Sequence, residues 1–505
     1  MNQNRSSIRA LIVMTLGVVG AGLLPAQEAV PEVLSVPAVI ERVLEADPEI
    51  INSRRGLEEA QAQFGITRSG TRPSVTAEIT PYQWDQRRIT VPGSGPSGSS
   101  GSEQIHTQSF GAGLSVQQPL PTSGTLSAGV SNQMRFISGS DDRLEQTPEA
   151  TFGYRQPLFV NGRLVSTEVY QATLRNAEIG VERAGLNNQL TVNGNIERAL
   201  SLLVQVGTLR RSRDVLDQTI QVLRRQLDSA EIDRQQGLIS DNSLLSLQVT
   251  LNNRREALFD TELALVQAEQ DLARILGVPS LEGAELAENL FDDGEVSERR
   301  FSDVAGADTN VQLELQRLAV EQTVRSGLFN DLEDRPSLSV NVRMAPLYPD
   351  SREDPEGLGS SVGDFFESGA DVEATVALGL TIPLFTARER SYRERIDTLA
   401  RLRAETNLQD TERAVANQMQ TLMTNRRFLE RRVDILETDV EYERQRVENE
   451  RTLLESGATT ELRVEEVELD LFSRQNELWQ VEAELFLNAV SILAVVGEDL
   501  AAVLQ

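Results

Sequence analysis

The residues of this chain that could do chemistry are nearly all carboxylates. Asp and Glu number 77 against 48 basic residues, all of them Arg, for a net charge of −29. There is no Cys and a single His. Thiolate nucleophiles, disulfides, Cys-based zinc sites and lipid attachment through an N-terminal Cys are therefore excluded. His106 lies among Gly, Ser and Thr and reads as a solvated loop residue, since one imidazole rarely makes a metal site. The Glu and Asp pairs along 388–480 are of the right type for general acid and base work. Their spacing, however, is that of the solvated faces of coiled helices. Gly93, Gly95, Gly98 and Gly101 are not a phosphate loop, because no Lys follows and no strand–helix unit frames them. The acidic balance excludes nucleic acid as a partner, since phosphate binding needs clustered cations. The sequence thus assigns no catalytic residue, no metal ligand and no cofactor.

The elements that would carry these side chains are long helices and alternating strands. Leu202, Leu209, Leu216 and Leu223 recur every seven residues, as do Val415, Leu422, Leu429 and Leu436, and Val433, Val440, Val447 and Leu454. A heptad seam keeps facing a neighbour along a supercoil. Residues 165–235 and 388–455 each have room for a helix of roughly 100 Å at 1.5 Å per residue. Period two marks the strands. Val75, Ala77 and Ile79 alternate with polar neighbours, as do Leu338, Val340 and Val342, and Val372, Ala374, Val376, Leu378 and Leu380. The apolar face of such a strand meets another sheet in a sandwich and lipid in a membrane barrel, and alternation alone leaves both open. Segments near 90–105 and 349–370 are rich in Gly, Ser, Pro and acids and read as exposed loops.

Residues 1–26 read as an export signal. Arg5 and Arg9 precede the apolar run Ala10–Leu24, and Leu24-Pro25-Ala26 offers a small-residue cleavage site. No later stretch holds roughly 18 uninterrupted apolar residues, the length of a helical span. An exported chain can still enter a membrane as a closed β-barrel.

The pattern is written twice. QPLFVNGR at 156–163 and IPLFTAR at 382–388 each close an alternating stretch and open a charged helix. Gly237 in QQGLISDNSLL and Gly457 in SGATTELRVEE are as far apart as Gly277 in ILGVP and Gly497 in AVVGE. Arg72-Pro73-Ser74-Val75 and Arg335-Pro336-Ser337-Leu338 end the upstream helical patterns. This divides the chain into a first repeat over 27–278, an acidic linker over 279–302 and a second repeat over 303–505.

In these junctions, Gly turns and terminal signatures, in this order and duplicated, the chain resembles the TolC-type outer-membrane efflux proteins. The resemblance covers nearly the whole length after the signal. It implies a mainly α fold with a membrane β-barrel part: a trimeric α-helical barrel of long coiled helices joined to a shared antiparallel β-barrel, with two internal repeats per chain. It implies a passive exit duct of a tripartite efflux or type I secretion system, with outer-membrane lipid, a periplasmic adaptor (membrane fusion) protein and an inner-membrane pump of RND, ABC or MFS type as partners. The competing readings are a coiled-coil envelope spacer without a pore and a secreted enzyme. The junctions after alternating strands favour the duct.

The resemblance also implies site residues. Gly237, Leu238, Ile239 and Ser240, and Gly457, Ala458, Thr459 and Thr460, match the periplasmic turns that adaptors contact. Glu466 falls at an aperture carboxylate, the other such position in that turn is Arg463, and the first-half equivalent is Ser243. Glu461 and Asp241 are nearby acids that would join Glu466 in a cation-preferring mouth. Pro157, Gly162 and Pro383 mark the barrel–tunnel junctions, with Ala387 replacing the second glycine. The family pattern gives two strands per half. Direct reading gives two more, at 106–118 and 124–137 around Pro121-Thr122-Ser123-Gly124, and the family count is preferred.

Overall fold

The computed structural model describes residues 33–91, 101–138, 143–160, 163–164, 167–287, 290, 310–330, 336–346, 372–382, 384 and 387–504. The signal segment, Gly162, Pro383 and the acidic stretch 291–309 lie outside them. The chain divides into two compact units built from interleaved segments, one of residues up to 51, 190–307 and 418–505, the other of 52–189 and 308–417.

The first unit is helical. It contains β1 (Val33–Leu34), α1 (Val36–Ala46), most of α3 (Glu168–Gln235), α4 (Asp241–Ile275), β7 (Glu285–Leu286), the later part of α6 (Ala387–Glu455), α7 (Glu461–Val496) and α8 (Leu500–Val503). Ion pairs give the neighbour order: Arg210 of α3 reaches Glu269 of α4 at 2.6 Å, Arg225 of α3 pairs with Glu465 of α7, and Arg451 of α6 meets Glu468 of α7 at 2.7 Å. The helices therefore line up as α4, α3, α7, α6. All twelve heptad residues named above are buried or half-buried. The outer helices also carry apolar stripes that no described residue covers: Leu245, Val249, Phe259 and Leu263 on α4, and Phe428, Ile435 and Tyr442 on α6.

At one end of this row the core is continuous. Leu34, Ile40, Leu200, Leu203, Leu272, Leu276, Leu493 and Leu500 are fully buried, and each such side chain contributes about 1.5–3 kcal/mol of transfer free energy. The start of the linker belongs to this core: β7 pairs in parallel with β1, and the Arg42 guanidinium donates to the Leu276 carbonyl at 3.0 Å. Trp479 of α7 packs against Gly207 of α3 beneath the Arg211 guanidinium, which lies 4.7 Å from the ring centroid. Helix α7 is long and apolar enough by composition to cross a membrane, though charged and polar residues interrupt it. Its apolar residues Ala483, Phe486, Val490 and Leu493 are spent on this core.

The second unit holds α2 from residue 52 (Pro48–Ser69 in full), the opening of α3, α5 (Val311–Asn330), the opening of α6 and one antiparallel sheet. The strands are β2 (Ser74–Val91), β3 (Gly101–Pro119), β4 (Thr125–Ser138), β5 (Arg143–Val160), β8 (Ser337–Pro346) and β9 (Val372–Thr381), paired in that order, with the short β6 (Arg163–Leu164) against β5. The preferred count of two strands per half is thus corrected: the first half supplies four long strands and the second two. The alternation at 106–118 and 124–137 is strand because both segments pair fully with their neighbours. His106 is correspondingly in β3, stacked on Trp84 at 6.0 Å, and not in a loop.

One ionic contact and one close packing contact make these units testable. In the sheet-bearing unit Arg175 of α3 grips Glu321 of α5 at 3.2 Å and Glu182 at 2.7 Å. Hydrogen bonding to Arg175 holds the Glu321 carboxyl below its ordinary value. A depressed carboxylate adds stability above its unfolded pKa and loses it as pH falls through the folded value. Replacing Glu321 with Gln should therefore cost up to about 1 kcal/mol near neutrality and nothing in strong acid. Thermal unfolding at the two pH values checks this, and an equal loss at both would refute it. In the helical unit, a Cβ at residue 207 would collide with the Trp479 ring, which is locked under Arg211. Gly207→Ala should destabilise by roughly 1–3 kcal/mol. An unchanged denaturant midpoint would show that the ring can move.

Candidate functional site

Two regions stand out, one in each unit. The first is the sheet. Directly paired residues of an antiparallel ladder share a face, so the register sorts the side chains. One face carries Val75, Ala77 and Ile79 of β2, Phe110, Leu114 and Val116 of β3, and Leu126, Val130 and Phe136 of β4. It continues through Phe152 and Tyr154 of β5 and Val340, Val342 and Met344 of β8 to Val376, Leu378 and Leu380 of β9. The opposite face carries Thr76 and Glu78, Gly113 and Ser115, Ser127, Gly129 and Ser131, Thr151 and Gly153, Ser339 and Asn341, and Thr375 and Gly379. The apolar face is open: Val376 is 69% exposed and Leu378 70%. A sandwich core would cover these residues, and no described residue does. Tyr82 and Trp84 are exposed at the bulge in β2, where the register shifts between Thr80 and Gln83.

Small residues on the polar face are a packing requirement. The Gly153 position lies against the Ser127 hydroxyl, and that of Gly113 3.3 Å from the Ser131 Cβ. At the strand ends two glutamines do work that sequence reading missed. The Gln156 side-chain amide donates to the carbonyls of Thr122 and Pro157, each at 2.9 Å, and its oxygen accepts from the Thr122 hydroxyl. This ties the β3–β4 turn to β5. The Gln118 amide likewise donates to the carbonyls of Thr71 and Pro119. The signal was present, since Gln-Pro-Leu occurs at 118–120 and again at 156–158. Pro157 lies within β5 at a break in its register with β8, where a missing N–H costs no ladder bond.

The second region is the pair of helix turns. Gly237 and Gly457 both take positive φ, 78° and 74°. The amide of Leu238 donates to the Asp233 carbonyl and that of Ala458 to the Leu453 carbonyl, each at 2.8 Å, closing both helices in the same left-handed cap. Ser240 and Thr460 then cap α4 and α7, accepting from the amides of Ser243 and Arg463. Ile239 completes the first turn. Thr459 donates to the Glu450 carboxylate.

The acids near these turns do not form one cluster in the chain. Glu466 is paired: Arg463 reaches it at 2.7 Å and the Gln226 amide of α3 donates to it at 2.7 Å. The Glu466 carboxylate is the main reason the Arg463 guanidinium titrates above its ordinary value. Asp241 is met by Arg234 at 3.3 Å. Glu461 is exposed in the first turn of α7, where the helix dipole favours a negative charge.

A Cβ at Gly457 meets no atom within 4 Å, so any penalty there is purely one of backbone conformation. Gly457→Ala should cost about 1–2 kcal/mol and show as faster amide exchange over 453–458. Gly56→Ala, mid-helix in α2 with equally open surroundings, should be neutral or stabilising by up to ~1 kcal/mol. Equal behaviour of the two variants would remove the left-handed cap as the cause.

Known proteins were then compared with this geometry. Residues 357–498 match the family model of the outer membrane efflux protein. No curated protein matches the chain by sequence. Among solved structures, the outer membrane protein VceC from Vibrio cholerae is 12% identical, covering 92% of this chain and 96% of its own at a TM-score of 0.60. The Campylobacter jejuni CmeC outer membrane channel is 12% identical over 92% of this chain and 86% of its own, TM-score 0.58. The open state of the Neisseria gonorrhoeae MtrE outer membrane channel is 13% identical over 94% of each chain, TM-score 0.53. The family model thus matches residues 357–498, within a fold that the chain shares with solved outer-membrane channels along nine-tenths of its length.

Proposed function

We propose that the chain is one protomer of a homotrimeric outer-membrane exit duct, the passive channel of a tripartite efflux or type I secretion system. The observation that carries this is the sheet whose apolar face is open and whose other face is polar. An apolar surface of that extent is not left in water by a soluble monomer, and an outer-membrane barrel puts it against lipid. The trimer is supported by the edges. Strands β2 and β9 each have one unpaired side, and α4 and α6 carry apolar stripes that no described residue covers. Head-to-tail copies would satisfy both, making one shared antiparallel β-barrel and one shared α-helical barrel. The two halves, 27–278 and 303–505 around the linker 279–302, are read as internal repeats; the matched caps at Gly237 and Gly457 support this.

In this reading residues 1–26 direct export to the outer membrane. The turns 237–240 and 457–460 meet the periplasmic adaptor, through which an inner-membrane pump delivers cargo. Pro157, Gly162 and Pro383 mark the passage from strand to helix. Glu466 lines the mouth, with its charge offset by Arg463. No chemistry is performed on the cargo.

The face assignment predicts opposite outcomes for neighbouring positions. Leu378→Arg, on the apolar face, should cost about 2–4 kcal/mol per chain if that face lies in hydrocarbon, and sharply reduce heat-stable trimer in outer-membrane fractions. Thr375→Arg, on the polar face, should leave it near wild type. The reverse order would discard the barrel reading. At the mouth, Glu466→Gln should weaken cation preference in single-channel recordings, and Arg463→Gln should strengthen it. Unchanged selectivity in both would remove Glu466 from the aperture.

A further inference from the structure

We infer that three copies of this chain close an eighteen-stranded barrel, whose wide exit admits bulky amphiphiles and polypeptide segments as cargo. The inference rests on the reading of the sheet as a barrel wall. Six long strands pair without interruption, β2-β3-β4-β5-β8-β9. Every pairing is antiparallel. Because their number is even, β9 runs opposite to β2. The free edge of β9 can then join the free edge of β2 in the next copy and keep the whole wall antiparallel.

All six strands belong to that wall. A hairpin folded inward as a plug would break the face pattern, but the apolar face passes from Val75 and Ala77 through Val116, Leu114, Val130 and Phe152 to Met344, Val376 and Leu378 with no change of side. Gln118 at the end of β3 also holds Thr71 just before β2, and Gln156 of β5 holds the β3–β4 turn.

Bore follows from strand count. With strands about 4.8 Å apart and tilted about 40°, eighteen strands give a backbone diameter of about 36 Å, against about 24 Å for twelve. Much of the polar face is short: Gly113, Gly129, Gly153, Gly379, Ser127 and Ser339 alternate along it with longer groups, Arg155 and the Arg343–Glu149 pair among them. A clear lumen of about 25 Å remains after two layers of side chains, against less than about 15 Å for twelve strands. Charged groups on this face are of both signs, Glu149 paired with Arg343 at 3.1 Å, so width is what limits the cargo.

The full chain tests this directly, since engineered cysteines are the only ones in it. Ala77→Cys in β2 is combined in turn with Ala374→Cys, Val376→Cys, Leu378→Cys and Leu380→Cys in β9, all on one face. Oxidation is expected to give covalent trimers at one or two adjacent positions. Polyethylene glycol added only on the barrel side is then expected to enter and lower single-channel current up to a hydrodynamic diameter above 20 Å, roughly the bore set by eighteen strands. Current without inter-chain disulfides would overturn the closure. Linked trimers that exclude polymers wider than about 15 Å would overturn the wide exit. No current from correctly inserted protein would instead refute the channel reading on which this rests.

Discussion

A strand whose apolar side chains all point one way must place that face somewhere dry, and must also pair both edges of its backbone. These two demands organise this protein. The six strands meet the second demand between themselves, leaving one free side on β2 and one on β9. They do not meet the first: among the described residues nothing covers Val376, Leu378 or Leu380. A monomer in water would bear both costs. A ring of copies in lipid removes both, because hydrocarbon accepts the apolar face and a closed sheet has no edge. The Gly and Ser residues on the other face fit the same geometry, since facing small residues let the strands pair closely where larger ones would collide.

The helical unit obeys a parallel rule. Its inner seams, such as Val440 and Val447 with Leu202 and Leu209, are used up inside the row of four helices. Its outer helices keep further heptad residues in reserve, Phe428, Ile435 and Tyr442 on one and Leu245 and Val249 on the other. The fold thus saturates itself in the middle and remains unsatisfied at both ends of each layer. The proposed head-to-tail ring would use this, since its two ends are different surfaces that meet each other.

Much of this was legible in the residues. Period two located the strands and period seven the helices, because each pattern follows from the geometry of one element and needs no knowledge of its neighbours. Gly237, Gly457, Ser240 and Thr460 were legible for the same reason: caps are local. What depended on distant partners was not. The fixing of Gln156 by Thr122, the seat of Trp479 against Gly207, and the capture of Glu466 by Gln226 all join residues far apart in the chain. The strand count shows the hazard of leaning on resemblance: direct alternation supported four strands in the first half, and the family pattern argued two of them away. The lone His106 was misplaced because its polar neighbours resemble a loop, although every second residue there belongs to the polar face of a strand.

The charges fit the proposed duct, which would perform no chemistry. Two of the carboxylates near the turns are paired with Arg. Arg463 beside Glu466 and Arg234 beside Asp241 make each near-neutral locally. Three copies of an unpaired carboxylate around an opening would repel one another. With an Arg in contact, the repulsion falls while both charges remain available to a passing ion. Burial raises one interior acid, Glu482, above its ordinary pKa, with Glu437 nearby reinforcing the effect. An acid so placed opposes folding when ionised, and its cost grows as pH rises through the folded value. Its Arg211 neighbour, itself shifted down by burial over Trp479, only partly offsets this. The helical unit is thus tuned toward acid while the Arg175–Glu321 contact favours neutrality.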